Sequence, residues 1–211
     1  MEDFDQECGI ARESLCRFLS ACYYEPCPEF EEEKVFDSML DAASRIHPDL
    51  AAGARRLGEA FFAEKPENLL LDYTRLFLGP NHIVAKPYGS FWLSGENALM
   101  QDSTMAVLEL YADGGFEIDE NFRELPDHIA AELEFLYLLI YRENEARRNV
   151  DPETLKATLS LRKRFLDQHI GAWVEPFTAA VRAGAQSGFY CELAELTRHF
   201  FSMETGEGSA P

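Results

Sequence analysis

Three features of the 211-residue chain predict an all-α fold. Apolar residues recur every three or four positions between prolines, no stretch alternates long enough to read as a strand, and acids and prolines stand where helices would begin. The hydrophobic fraction of 46% and charged fraction of 27% are those of a globular chain, which excludes disorder for the whole. The length favours one domain, a helical bundle of roughly nine or ten helices over residues 1–203. Residues 204–211, Glu-Thr-Gly-Glu-Gly-Ser-Ala-Pro, lack apolar periodicity and are expected to form a flexible tail.

The first helix is expected over residues 4–24, where Phe4, Cys8, Ala11, Leu15 and Cys22 share a face, and Pro26 and Pro28 end it. Val35, Met39, Ala43 and Ile46 define a second helix before Pro48, and a third covers about residues 49–64. Pro66 opens a fourth, with Leu69, Tyr73, Leu76 and Phe77 inward. Residues 78–94 hold two glycines, two prolines and no helical period, so they read as a long loop, ordered by Tyr88, Phe91 and Trp92. Helix resumes over residues 95–112 and stops at Gly114-Gly115. The next helix is expected over residues 127–148: Pro126 suits a first turn, Asp127 suits the positive end of the macrodipole, and Arg147-Arg148 suit the negative end. His128 and Glu132 then share a face. Asp151-Pro152-Glu153 combines a cap, a first-turn proline and a first-turn acid, opening a helix through Leu155, Leu159, Phe165 and Ile170. The last helices carry Trp173, Phe177 and Val181, then Phe189, Leu193, Leu196 and Phe200.

Several function classes are disfavoured. The net charge of −19 opposes nucleic-acid backbones, which are bound by lysine and arginine, and instead suits a basic peptide. The N-terminus has neither the basic nor the apolar region of a secretory signal, and no apolar run approaches the ~20 residues of a membrane span, so a cytoplasmic protein is expected. Five cysteines without a Cys-x-x-Cys pair argue against a disulfide framework or a zinc site. None of the five histidines follows a glutamate by three positions, as di-iron bundles require; His128 with Glu132 and Glu195 with His199 are the nearest approaches to a metal pair. No nucleophile elbow and no glycine-rich phosphate loop occurs, and no cofactor is expected. A helical metal- or ligand-binding enzyme is the alternative reading, and a scaffold for some other helix a third.

Three blocks carry a resemblance: Tyr73-Thr-Arg-Leu-Phe-Leu-Gly-Pro80 with Pro87-Tyr-Gly-Ser-Phe-Trp92, then Glu124-Leu-Pro-Asp-His128 with Glu132, and Phe165-Leu-Asp-Gln-His169 with Trp173. In this order the chain resembles the TorD/DmsD family of redox-enzyme maturation chaperones. The resemblance implies a TorD-like helical bundle without enzymatic activity. It implies binding of a twin-arginine signal peptide, or of the catalytic subunit, of a molybdopterin oxidoreductase such as a dimethyl sulfoxide or trimethylamine N-oxide reductase. Export would be delayed until cofactor insertion. By motif, the implied peptide-binding residues are Leu76, Phe77, Gly79, Pro80, Pro87, Tyr88, Ser90, Trp92, Glu124, Asp127 and His128, with Glu132, His169 and Trp173 as structural support. Tyr88 departs from relatives that carry tryptophan there. The family further implies a monomer or a domain-swapped homodimer, with Gly114-Gly115 as a candidate hinge.

Overall fold

The computed structural model describes residues 2–79, 83–93, 102–119 and 122–206. Within them the chain is helical, and the only pairing of extended backbone is a single antiparallel bridge between Tyr88 and His128. The elements are α1 (Glu2–Cys22), α2 (Glu29–Glu32), α3 (Val35–Ile46), α4 (Pro48–Ala63), α5 (Pro66–Tyr73), α6 (Gly89–Leu93), α7 (Asp102–Asp113), α8 (Ile129–Arg148), α9 (Pro152–Phe165), α10 (Gly171–Gly184) and α11 (Gly188–Glu204). A π turn (Thr74–Leu78) continues α5, and another (Leu166–Ile170) joins α9 to α10 without a break. Counting each continuous run once gives ten helices among the described residues, as expected. Contacts gather the chain into two compact units, Met1–Ser20 with Tyr88–Trp173, and Ala21–Pro87 with Val174–Pro211.

In the first unit α8 supplies the core through Ile129, Leu133, Phe135, Leu136, Leu139 and Ile140, all buried. Two side chains of α1 fasten to its backbone, Ser20 Oγ donating to the Ala130 carbonyl (3.0 Å) and Cys16 Sγ to that of Leu133 (3.2 Å). α7 ends as its glycines predict. Gly115, at φ +58°, donates to Ala112 and Phe116 donates to Tyr111, while the Phe116 ring packs 4.9 Å from that of Tyr111. Paired backbone bonds with an apolar contact across them form a Schellman stop. α8 ends on the same bond pattern, Val150 to Arg147 and Asp151 to Ala146, but the left-handed position is held by Val150 at φ +55°. Asp151 then caps α9, accepting the Thr154 N–H at 3.0 Å.

The second unit is built on aromatic packing. Phe36, Phe61 and Phe189 join α3, α4 and α11, and Phe77 meets Tyr23, Tyr73, Phe177 and Tyr190. Buried Asp72 closes the start of α11, accepting the Gln186 and Ser187 N–H groups, the Ser187 hydroxyl and the Arg75 guanidinium at 2.6–2.9 Å. Burial alone would raise its pKa, but these donors together hold the carboxyl below its ordinary value.

Two sequence expectations are corrected. The loop over 78–94 contains helix: its first residue, Leu78, ends a π turn, and residues 89–93 form α6. The helix expected from residue 127 begins at Ile129, because His128, extended at φ −70° and ψ 138°, is the cap, its Nδ1 accepting the Ala130 N–H at 3.2 Å. Pro126 and Asp127 form the turn before it. The part of the expected helix over 95–101, Pro80, and the tail beyond residue 206 lie outside the described residues.

Candidate functional site

The turn preceding α8 and the start of α6 run side by side in the first unit. The Gly89 N–H donates to the Asp127 carbonyl (2.8 Å) and the Ser90 N–H to Asp127 Oδ2 (2.7 Å), so the aspartate serves α6 as an N-terminal anchor. Tyr111 Oη donates to the Pro126 carbonyl at 2.8 Å and fixes the same turn from α7. Tyr88 bridges the two segments, its ring edge-on to His128 at 5.4 Å and its hydroxyl donating to Glu124 Oε2 at 2.6 Å. The departure at position 88 therefore has a use here: a phenol O–H engages the Glu124 carboxylate.

Burial grades this cluster. Glu124 and Trp92 are half-buried, while Asp127 and Glu132 are 0% exposed and His128 is 3% exposed. Burial pushes the His128 pKa down to about 3, so the ring is neutral, as its role as cap acceptor requires. Asp127 Oδ1 is buried and has no hydrogen-bond partner among the described residues. A lone buried acceptor is expensive to leave unmade.

Beneath lies a second layer. Glu132 Oε1 faces His169 Nε2 at 2.8 Å and Oε2 accepts the Trp173 indole N–H at 3.1 Å. Burial raises the Glu132 pKa, with His169 opposing the shift and Asp127 adding to it. Burial would lower that of His169, but the charges of Glu132 and Asp127 outweigh it and raise the value. The pair thus keeps a proton over a wider range than either group alone. Gly89 abuts it directly: a Cβ there would stand 2.9 Å from Trp173 Nε1 and 3.0 Å from Glu132 Oε1.

The residues suggested by sequence therefore divide. Tyr88, Ser90, Glu124, Asp127 and His128 come together, with Glu132, His169 and Trp173 behind them. Leu76, Phe77, Gly79 and Pro87 belong to the other unit. Leu76 and Phe77 are buried there, Leu76 giving its carbonyl to Ala85 N–H at 2.9 Å, and Gly79 closes the π turn by donating to Thr74. The exposed leucines of that stretch are Leu70, Leu71 and Leu78, at 42, 66 and 47%. The sequence reading missed Gly89, whose signal was a glycine one residue after an aromatic and directly before a serine that must approach a carboxylate. Among the described residues, no three histidine, cysteine or acidic side chains are placed to hold a metal ion, and no helix is long and apolar enough to cross a membrane.

The described residues form an all-α fold with a buried carboxylate layer under a short helix, and comparison gives the family. Residues 44–179 match the family described as nitrate reductase delta subunit. The chaperone protein TorD of Vibrio parahaemolyticus is 30% identical over 170 residues, covering 80% of this chain and 71% of that one. The Tat proofreading chaperone DmsD of Salmonella typhi is 30% identical over 183 residues, 86% of this chain and 83% of its own. A crystal structure from Archaeoglobus fulgidus, described as a redox enzyme maturation protein, superposes with a TM-score of 0.52 at 22% identity over 91% of this chain and 92% of its own, and shows the fold. The chain belongs to the TorD/DmsD family of redox-enzyme maturation chaperones. Its relatives are named chaperones, so its role is a maturation chaperone's and not an enzyme's.

Proposed function

We propose that this chaperone acts in the cytoplasm by binding the twin-arginine signal peptide of a molybdopterin oxidoreductase catalytic subunit, using the segment around α6 and the turn before α8. The observation that carries this reading is the buried Oδ1 of Asp127, without a partner among the described residues, together with the half-buried carboxylate of Glu124 three residues before it. A guanidinium offers five N–H donors in a fixed fork, the chemistry these oxygens lack. Half-buried Trp92 adds an aromatic face for the apolar residues that follow the arginines. The strongly acidic chain speeds encounter with a basic leader. For Leu76, Phe77, Gly79, Pro80 and Pro87 the support is the family resemblance, and each is tested by its own substitution.

Calorimetry with a synthetic leader peptide tests the reading. Asp127→Asn keeps an acceptor for Ser90 but removes the charge; a charge pair formed in a buried site is worth about 2–5 kcal/mol when broken, so affinity should fall roughly thirtyfold or more. A folded Glu124→Gln/Asp127→Asn double variant that binds the leader as tightly as the parent overturns the proposal.

A further inference from the structure

Asp127, Glu132 and His169 form one electrostatic unit. All three are buried, Glu132 and His169 are in hydrogen-bond contact, and the charge of Asp127 acts on both. The neighbouring charged group in the turn is the half-buried Glu124 carboxylate, held by the Tyr88 hydroxyl; α6 presents Gly89, Ser90, Phe91 and Trp92, all neutral, α10 presents the Trp173 indole, and His128 is neutral. Phe165 stacks on the far side of the His169 ring, 6.1 Å away and 18° from parallel. With one proton shared in the pair, the unit carries a net charge of −1; with a second it is neutral, and with none it is −2.

We propose that peptide recognition at this site is proton-coupled: the guanidinium that reaches Asp127 Oδ1 and the proton held between Glu132 and His169 compete for the same buried negative charge. The inference rests on the peptide-binding reading above. A cation beside Asp127 repels the proton on the neighbouring pair, so binding expels part or all of it to solvent. By linkage, whatever fraction leaves on binding sets the slope of affinity against pH, about tenfold per pH unit for one whole proton. His169 in the free protein holds its proton above the ordinary imidazole value, so the slope extends upward past ~6.5 and ends where the free protein has lost that proton. Leader affinity rises there with pH. Glu132 and His169 touch no peptide in this scheme and act as positioning residues for the charge.

Calorimetry of the full chain with a synthetic peptide carrying two consecutive arginines and an apolar segment, repeated at several pH values and in buffers of different ionisation enthalpy, measures the proton release. The expected result is release on binding, matched by tighter binding at higher pH, and loss of both in Glu132→Gln and in His169→Asn. A control peptide with both arginines replaced by glutamine should bind weakly and release no proton. Peptide binding with constant affinity across pH and no proton exchange overturns this inference and leaves the function standing; no binding at any pH overturns both. Should the variants fail to fold, the wild-type measurement decides alone, and NMR titration of His169 with and without peptide gives a second test: its apparent pKa must fall in the complex.

Discussion

Gly89→Ala pits two ordinary effects against each other with opposite signs. Alanine is the better helix former by about 1 kcal/mol in a helix interior, and it lowers the entropy of the unfolded chain, so propensity alone predicts a gain of about 0.4–1 kcal/mol. Geometry predicts a loss. The added methyl would lie 2.9 and 3.2 Å from Nε1 and Cε2 of fully buried Trp173 and 3.0 Å from Glu132 Oε1, an oxygen already held by His169. Neither neighbour is the loose end of a side chain, and overpacking of this kind costs about 1–3 kcal/mol. The net is a destabilisation of about 0.5–2 kcal/mol, a fall in Tm of roughly 1–8 °C for a chain of this size. Because the relief available is to lift α6, leader affinity should fall as well. Gly188→Ala is the control: at the first residue of α11 its Cβ would meet only Ala60 Cβ at 3.5 Å, an ordinary contact, so stability should hold or rise. Differential scanning calorimetry of the two variants reads both signs. A Gly89→Ala protein as stable as the parent, or more so, refutes the claim that α6 is seated against the Glu132–Trp173 layer.

The two buried histidines should oppose each other as pH changes. His128 is held neutral to about pH 3, whereas its unfolded form gains a proton near 6.5, so its contribution is present above that value and is lost as pH falls toward 3; His169, raised, contributes below its unfolded value and loses that contribution as pH rises through its folded one. Imidazole NMR should find His128 unprotonated at pH 5 and His169 protonated at pH 6.5, and a single shared titration near 6.5 would contradict both assignments. Val150 is a β-branched residue in the left-handed region and 84% exposed, so it has strain and little packing to lose. Val150→Asn should raise stability by about 1 kcal/mol, read as a higher urea midpoint with unchanged m; a lower midpoint would show that the valine is held by contacts.

What the sequence discloses depends on how local each cause is. The cap at Asp151, the stop at Gly114-Gly115 and the proline starts of α5 and α9 act within one turn, and they are where a reading by chemistry places them. The start of α8 misleads because Pro126 and Asp127 have first-turn chemistry but are claimed by distant partners, the proline carbonyl by Tyr111 and the aspartate by Gly89 and Ser90. The pairing of Glu132 with His169 spans 37 positions, and nothing local announces it. Burial of Asp127 is equally remote in origin: an acid beside a proline reads as solvated unless its backbone partner on α6 is known.

The π turns had a local signal of a different kind, in the spacing itself. Buried residues come in pairs at Phe165-Leu166, His169-Ile170, Trp173-Val174 and Phe177-Thr178, a period of four rather than 3.6, with Asp167, Gln168, Ala172, Glu175 and Pro176 exposed between them. In an ideal α-helix each step of four residues drifts about 40°, so three steps turn the last pair about 120° from the first, outside a stripe ~100° wide. The wider turn at Leu166–Ile170 takes up that drift by lengthening one turn by a residue. Asp72-Tyr73 and Leu76-Phe77 repeat the arrangement across Thr74–Leu78. Both insertions fall in stretches that carry the family resemblance, and at the second the consequence is chemical: His169 and Trp173, four apart, reach the two oxygens of one carboxylate. A strict four-residue repeat of buried pairs along a helix is therefore a readable mark of a π turn, and here it points to the residues that hold Glu132 in place beneath α6.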